Sequence, residues 1–174
     1  MHTQSVPQPI GLYDPAYEHD ACGTGFVASI DGAASHAIVR AAVQCVCNVT
    51  HRGAVSADAK TGDGAGILTQ IPHALFAKAL KQLKAEPAAP GDLAVGVVFL
   101  PQEERARAAA QRLVEQTVPA SGLTLIGWRE VPVDPSALGD KALQTQPVIR
   151  HLLVRRPKSV TPGDFERRLF LARR

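Results

Sequence analysis

The stretch His19-Asp20-Ala21-Cys22-Gly23-Thr24-Gly25-Phe26 lies between a polar arm and the first apolar segment of the chain. Residues 1–21 contain three prolines and show no periodicity, which is typical of an arm outside a packed domain. Residues 24–30 predict a β-strand that ends at the turn Asp31-Gly32. We therefore expect residues 22–174 to form the folded domain and residues 1–21 to be a leader or arm outside it.

Cys22 is the candidate catalytic residue of this stretch. A cysteine followed by glycine is by default a small buried residue. Cleavage before Cys22 would give it a free α-amine beside its own thiol, and an α-amine has an ordinary pKa of about 8. Such an amine can act as a general base near neutral pH, so the thiol would need no histidine partner. Both interpretations stay open on these residues alone.

The remaining chain alternates strands and helices. Strands are predicted over 67–71, 93–100, 123–133 and 148–154, and helices over 36–48, 73–84, 101–117 and from 161 to the end. The continuous apolar strand 93–100 is expected to be buried on both faces. The helix 73–84 is expected to bury Leu75, Ala79, Leu80 and Leu83. This alternation indicates a layered α/β or α+β domain.

Composition excludes several classes of protein. The 174 residues are 45% hydrophobic and 20% charged, which is typical of one globular domain and not of a disordered chain. No run approaches the ~18–20 apolar residues that span a bilayer, and the arm lacks the features of a secretory signal. We expect no membrane association.

Three cysteines without a signal favour a reducing compartment, and we expect the cytoplasm. Cys45 and Cys47 form C-x-C and lack the second pair of a zinc site, so no metal site is predicted. Cys45 lies in an Ala/Val-rich helical run and is expected to be a small core residue.

Charge is concentrated at the end of the chain. Residues 150–174 contain eight basic and two acidic side chains, a net charge of +6. A basic segment can bind nucleic acid, which would make steeply salt-dependent binding the test. We favour a solvated helix face whose acidic partners lie elsewhere in the chain, and expect no nucleic-acid partner.

A glycine-dense segment, Gly62-x-Gly64-x-Gly66, fits neither phosphate-binding glycine pattern, because Ile67 follows and no Lys-Ser/Thr pair occurs. It is expected to form a tight turn that brings the backbone close to another segment.

Five segments together resemble the glutamine amidotransferase domain of the glutamate synthase large chain, a class II domain with an N-terminal nucleophile. The resemblance covers essentially all 174 residues and departs mildly at Thr24 and Ser56. The five segments are His19–Phe26, Asn48–Ala54 (Asn-Val-Thr-His-Arg-Gly-Ala), Thr61–Ile67 (Thr-Gly-Asp-Gly-Ala-Gly-Ile), Gly127–Pro132 (Gly-Trp-Arg-x-Val-Pro) and Phe165–Leu169 (Phe-Glu-Arg-Arg-Leu).

The resemblance implies an α+β fold, the four-layer αββα sandwich of N-terminal nucleophile hydrolases, with only about its first half present. It implies removal of residues 1–21, so that the Cys22 thiolate attacks the side-chain amide of L-glutamine and forms a thioester. Arg52 and Gly53, in the His-Arg-Gly turn, would hold the cysteine end beside the substrate. The alternative for Arg52 is an ordinary loop arginine in a structural ion pair.

The resemblance also sets expectations about what lies outside these residues. The oxyanion-hole pair and the residues that clamp the substrate are expected beyond Arg174, so the 174 residues alone are expected to be almost inactive. No cofactor is expected in this segment, whereas FMN and an iron–sulfur cluster are implied for the full-length family chain. The implied partners are L-glutamine, the rest of a glutamate synthase chain and, as an open alternative, a small electron-supplying subunit.

The electron donor and the oligomeric state stay open. The alternative function is a non-catalytic, truncated paralogue that acts as a binding or regulatory module.

Overall fold

A computed structural model describes residues 23–49, 53, 58, 60–62 and 64–174. The chain divides into two compact units. The first comprises Met1–Ser56 and Gly62–Ile67, and the second comprises Ala57–Thr61 and Leu68–Arg174. We call them the N-terminal unit and the sheet unit.

The N-terminal unit contains helix α1, His36–Asn48, as predicted. Its N-cap is Ser35, whose hydroxyl accepts the backbone N–H of Ile38 at 3.4 Å. None of the thirteen helix residues is buried, although Val39 and Val43 lie on its apolar stripe. Within the described part of the chain, α1 therefore has little of the packing that normally stabilises an amphipathic helix.

The predicted strand over 24–30 is wrong: residues 23–29 form no strand. Phe26 and Ile30 are almost fully exposed, and no described segment pairs with the backbone of residues 23–29. A strand needs a neighbouring backbone to accept and donate its ladder hydrogen bonds, and a local pattern cannot supply one. The turn that follows is confirmed, with Gly32 at φ 66° and its N–H on the Ser29 carbonyl.

The sheet unit is built on one three-stranded antiparallel sheet of order β1-β3-β2, among the described residues. Its strands are β1, Leu93–Leu100; β2, Thr124–Glu130; and β3, Val148–Arg155. All three were predicted, β1 with the same bounds. The strand predicted over 67–71 is wrong, because residues 64–72 form none.

Helices cover both faces of this sheet. They are α2, His73–Gln82; α3, Glu104–Ala120; α4, Asp140–Thr145; and α5, Pro162–Ala172, with a short 3₁₀ turn at Pro135–Ala137. Helices α3 and α5 pack on the face that carries Leu152 and Val154, and α2 packs on the face that carries Leu153. The two cores therefore follow the two-residue alternation of β3.

Two burial predictions are wrong in part. Leu75 is exposed, and Phe76 takes its place in the core, because the buried stripe of α2 runs Phe76, Ala79, Leu80 and Leu83 at i, i+3, i+4 and i+7. β1 is not buried on both faces, since Val97 is 56% and Phe99 65% exposed.

A β-bulge in β2 sets which side chains face which core. Leu125 pairs with Val154 and Gly127 pairs with the next residue, Leu153, so the register shifts by one residue. Gly127 has φ 149°, a conformation that favours glycine. As a result Trp128 packs with the α3 and α5 core, and Arg129 lies opposite His151 on the α2 face. The described residues hold this single sheet, so the four-layer sandwich stays a prediction.

Candidate functional site

The predicted site residues fall mostly outside the described part of the chain. Cys22 and Arg52 are not among the described residues, and Gly53 is an exposed bend. The assignment of a nucleophile and of two substrate-side residues therefore remains a prediction. What the structure does describe is the framework next to them.

The segment that follows Cys22 lies against helix α1. A Cβ atom built on Gly25 would be 2.7 Å from the Sγ of Cys45, well inside van der Waals contact. Cys45 is partly buried, in line with the expected core role, whereas Cys47 is exposed. Gly25 and Cys45 thus mark the place where residues 23–26 approach the last turn of α1.

This same end of α1 is the part of the helix that is nearest in sequence to Arg52 and Gly53. The helix ends at Asn48, and the N–H of Val49 contacts the carbonyls of Cys45 and Val46 at 3.2 and 3.3 Å. Cys45 and Val49 are four residues apart, a rise of about 6 Å along the helix. The C-terminal turn of α1 therefore lies against the segment after Cys22, and Asn48, the last residue of the helix, is four positions before Arg52 in sequence.

The glycine-dense turn begins with a hydrogen-bonded aspartate in the sheet unit. The carboxylate of Asp58 accepts the N–H groups of Lys60 and Thr61 at 3.0 and 2.8 Å, and the hydroxyl of Thr61 at 2.5 Å. These hydrogen bonds, chiefly from Thr61, lower the pKa of Asp58 to about 2. A side chain at Gly139 would collide with both Asp58 and Thr61, so this glycine provides the space for the turn.

In the glycine-dense segment itself, Gly64 has φ 75°. That left-handed conformation favours glycine. Among the described residues, no atom lies within 4 Å of a Cβ built at Gly64 or Gly66, so the expected close approach to another segment is not found at these two glycines.

A second cluster of polar and aromatic side chains lies on the α2 face of the sheet. The Nη1 of Arg129 lies 3.1 Å from the Nδ1 of His151, and the His151 ring meets the edge of Phe76 at a centroid distance of 5.3 Å. Burial, and secondarily the charge of Arg129, lowers the pKa of His151. Nδ1 of the neutral ring can then accept the hydrogen bond that the guanidinium donates.

An open groove of about 490 Å³ runs beside this cluster between α2 and the end of β2. Among its lining residues are Gln82 and Arg129, and Glu130 at its rim pairs with Arg150 at 2.5 Å. Sequence reasoning included Gly127–Pro132 in the resemblance without giving it a role, and missed Phe76 and His151. The apolar periodicity of α2 was a signal for Phe76, whereas His151 lies on β3 and had no signal of its own.

The basic segment is largely paired within the sheet unit. Arg150, Arg155 and Arg156 form ion pairs with Glu130, Glu86 and Asp92, all outside the segment. Arg167 pairs within α5 with Asp164. The acidic partners of those first three arginines lie elsewhere, as expected, but the expected helix face is wrong for them, because they lie on β3 or directly after it.

The described residues contain no cluster of three or more His, Cys, Asp or Glu side chains that could hold a metal ion. Among the helices searched there, none is both long and apolar enough to cross a bilayer.

Comparison with protein families gives one match, to the family of glutamine amidotransferases class-II, over residues 22–174. The chain is also similar to glutamate synthases. It is 44% identical over 157 residues to ferredoxin-dependent glutamate synthase 2 of Synechocystis sp., covering 90% of this chain and 10% of that protein.

Two further proteins to which this chain is similar are also glutamate synthases. The large chain of glutamate synthase [NADPH] from Azospirillum brasilense is 42% identical over 163 residues, covering 93% of this chain and 11% of that one. The corresponding chain from Bacillus subtilis is 34% identical over 175 residues, covering 100% of this chain and 11% of that one. The chain thus spans about a tenth of the length of the curated relatives it matches.

Proposed function

Because the chain belongs to the class-II glutamine amidotransferases, we propose that it is the glutamine-hydrolysing part of a glutamate synthase. The observation that carries the proposal is the family match over residues 22–174, whose first residue is Cys22. The similarity to three glutamate synthases over most of this chain supports the choice of enzyme.

The proposed reaction uses Cys22 as an N-terminal nucleophile. Removal of residues 1–21 exposes its α-amine, which takes the thiol proton as the sulfur attacks the side-chain amide carbon of L-glutamine. The C–N bond breaks, the amine returns the proton to the leaving nitrogen, and ammonia departs. Water then attacks the thioester carbon, releasing glutamate and restoring the thiol. Each step balances without an oxidant or a metal ion.

Arg52 and Gly53 are proposed to hold the Cys22 end of the chain beside the substrate. The geometry of α1 supports this, because the segment after Cys22 lies against the last helical turn, and Val49, which caps that turn, is three positions before Arg52 in sequence. The four-layer αββα arrangement is the fold proposed for the domain, with the three-stranded sheet and its helices as part of it.

The flavin and the iron–sulfur cluster of glutamate synthases are proposed to lie in other parts of such enzymes. The residues here do not fit a cluster, which needs several converging thiolates. Cys45 and Cys47 are two positions apart on α1, so they point to different sides of the helix. No step of the proposed hydrolysis depends on either group.

The partners proposed are L-glutamine, the rest of a glutamate synthase chain and a small electron-supplying subunit, in the cytoplasm. We also propose that the 174 residues alone carry little activity. Helix α1 buries none of its residues, and Phe26 beside the nucleophile segment is almost fully exposed. A nucleophile on so lightly packed a framework would lack the fixed geometry that catalysis needs.

The test uses the full-length chain as its own cell makes it, because the 174 residues alone are proposed to carry little activity. Its mass should show the loss of residues 1–21, and a glutamine-analogue electrophile should label Cys22. Cys22→Ala should abolish glutamine hydrolysis and labelling, whereas Cys47→Ala, a change of the same size at an exposed position, should retain both. An unprocessed and unlabelled wild-type protein would favour the non-catalytic module instead.

A further inference from the structure

Glycine is favoured at position 25 because there is too little space for a side chain, and not because the backbone adopts a conformation that favours glycine. Its φ lies outside the left-handed region that favours glycine, in contrast to Gly32 and Gly64. Any L-residue could therefore adopt its backbone geometry. What excludes a side chain is the Sγ of Cys45, which would lie 2.7 Å from a Cβ at this position.

The atom that fills this space belongs to a regular element. Cys45 lies in the last turn of α1, a helix of thirteen residues, and its carbonyl contacts the N–H of Val49. The backbone of Cys45 is therefore held in the helix at the end that is nearest in sequence to Arg52 and Gly53. Residues 23–26 can approach that turn closely because Gly25 has no Cβ.

We propose that Gly25 and Cys45 are positioning residues for the nucleophile: their contact sets the distance of the Cys22 end from the C-terminal turn of α1. The proposal rests on the proposed function, because it assumes that Cys22 reacts. Three peptide units separate Cys22 from Gly25, so the chain can place the two residues at most about 11 Å apart. A shift at Gly25 is therefore transmitted to the nucleophile over a short and nearly inextensible span.

The size of the effect follows from the contact distance. Non-bonded atoms of this size normally lie about 3.5–4.0 Å apart. A methyl group at Gly25 would therefore force the segment and the Cys45 side chain apart by about 1 Å. A displacement of about 1 Å in a reacting group can lower a rate by about 10²-fold.

The experiment is a pair of variants with a matched control, made in the full-length chain as its own cell processes it. Gly25→Ala should lower kcat for glutamine hydrolysis by about 10²-fold, with a much smaller change in KM, and should slow labelling by a glutamine-analogue electrophile to a similar extent. The double variant Gly25→Ala/Cys45→Ala removes the sulfur and should regain most of both rates. Gly163→Ala, where no atom lies within 4 Å of the new methyl, should match the wild type.

Each outcome decides between the two proposals. A wild-type protein that neither hydrolyses glutamine nor becomes labelled overturns the proposed function, and this inference with it. An active wild type whose Gly25→Ala variant is equally active overturns the inference alone, as does a double variant that stays as slow as Gly25→Ala. If Gly25→Ala does not fold, the double variant decides: near-wild-type kcat supports the contact, and a low kcat rejects it.

Discussion

The guanidinium of Arg129 donates to the imidazole of His151 across the β2–β3 pair, with Nη1 and Nδ1 3.1 Å apart. This geometry requires a neutral ring, because a protonated imidazole has no lone pair to accept the hydrogen bond. The central strand of the sheet therefore carries a histidine that favours its neutral form, beside a group that is always positive.

Stability should consequently depend on pH near neutrality. Burial and Arg129 lower the pKa of His151 in the folded state below its ordinary value of 6.5. The unfolded chain thus binds the proton more readily, and the free energy of unfolding should fall as pH drops from about 7.5 through 6.5 to the folded-state pKa. Urea unfolding followed by far-UV circular dichroism at several pH values measures this slope.

His151→Gln should flatten that slope, because glutamine keeps an acceptor oxygen but does not titrate in this range. His36→Gln, a change of the same type on the exposed first turn of α1, should leave it in place. Equal slopes in the wild type and in His151→Gln would show that the pair with Arg129 does not control the pH dependence.

Trp128 should contribute to stability through its indole N–H as well as its ring. Nε1 donates to a carboxylate oxygen of Glu115 at 2.8 Å, which joins β2 to α3 at a partly buried position. Trp128→Phe removes this charge-assisted hydrogen bond and part of the packed area, and should lower the free energy of unfolding by about 2 kcal/mol.

Glu115→Gln is the matched control for Trp128→Phe, since its amide oxygen can still accept the indole N–H. Glu115→Gln should lower the free energy of unfolding by well under half as much as Trp128→Phe does, measured in the same urea titration. A loss in Glu115→Gln equal to that in Trp128→Phe would assign the effect to the charge of Glu115 and not to the hydrogen bond.

The residue range of strand β1 could be predicted from sequence, but the burial of its two faces could not. The apolar run Leu93–Leu100 is bounded by Asp92 and Pro101, which gave the strand its correct ends. Its burial was overestimated because α2, at ten residues, is about 15 Å long, whereas an eight-residue strand is about 27 Å long. One short helix leaves Val97 and Phe99 uncovered on its face of β1.

The predicted strand over 24–30 failed for a related reason, since pairing depends on a distant segment that its own pattern does not specify. At the candidate site, Cys22 and Arg52 came from the family resemblance and stay predictions. The contact of Arg129 with His151 was not predictable, because it depends on the one-residue register shift at Gly127. Without that bulge, β2 would present Trp128 opposite His151.

The bulge itself should therefore be sensitive to substitution. Gly127 has φ 149°, so Gly127→Ala forces an L-residue into a strained conformation, although a methyl group would meet only ordinary contacts with Leu83. We expect a loss of about 1–3 kcal/mol in the free energy of unfolding and, with the register disturbed, a change in the Trp128 fluorescence of the folded protein.

Gly96→Ala in β1 is the control that separates the effect of backbone conformation from the effect of crowding by the new methyl group. Gly96 has an ordinary φ, and a methyl group there would lie 3.6 Å from Leu152. The free energy of unfolding of this variant should equal that of the wild type or be slightly higher, because alanine reduces the entropy of the unfolded chain. Equal losses at Gly96 and Gly127 would mean that crowding of the sheet, and not the bulge geometry, limits substitution.

The net charge of residues 150–174 should matter less than how individual arginines are bound. Arg156 is partly buried: Nε donates to Oδ1 of Asp92 at 2.9 Å and Nη1 to the carbonyl of Val160 at 2.6 Å, while its own N–H reaches the carbonyl of Asp92. Arg156→Lys cannot reproduce this fork and should cost about 1–2 kcal/mol of unfolding free energy.

Arg167→Lys is the matched control, because the ion pair of Arg167 with Asp164 is exposed on α5. It should change the free energy of unfolding by under about 0.5 kcal/mol. Both changes keep the charge, so urea unfolding of the two variants compares geometry alone. Equal small losses would contradict this, and would return the segment to the status of a solvated basic surface.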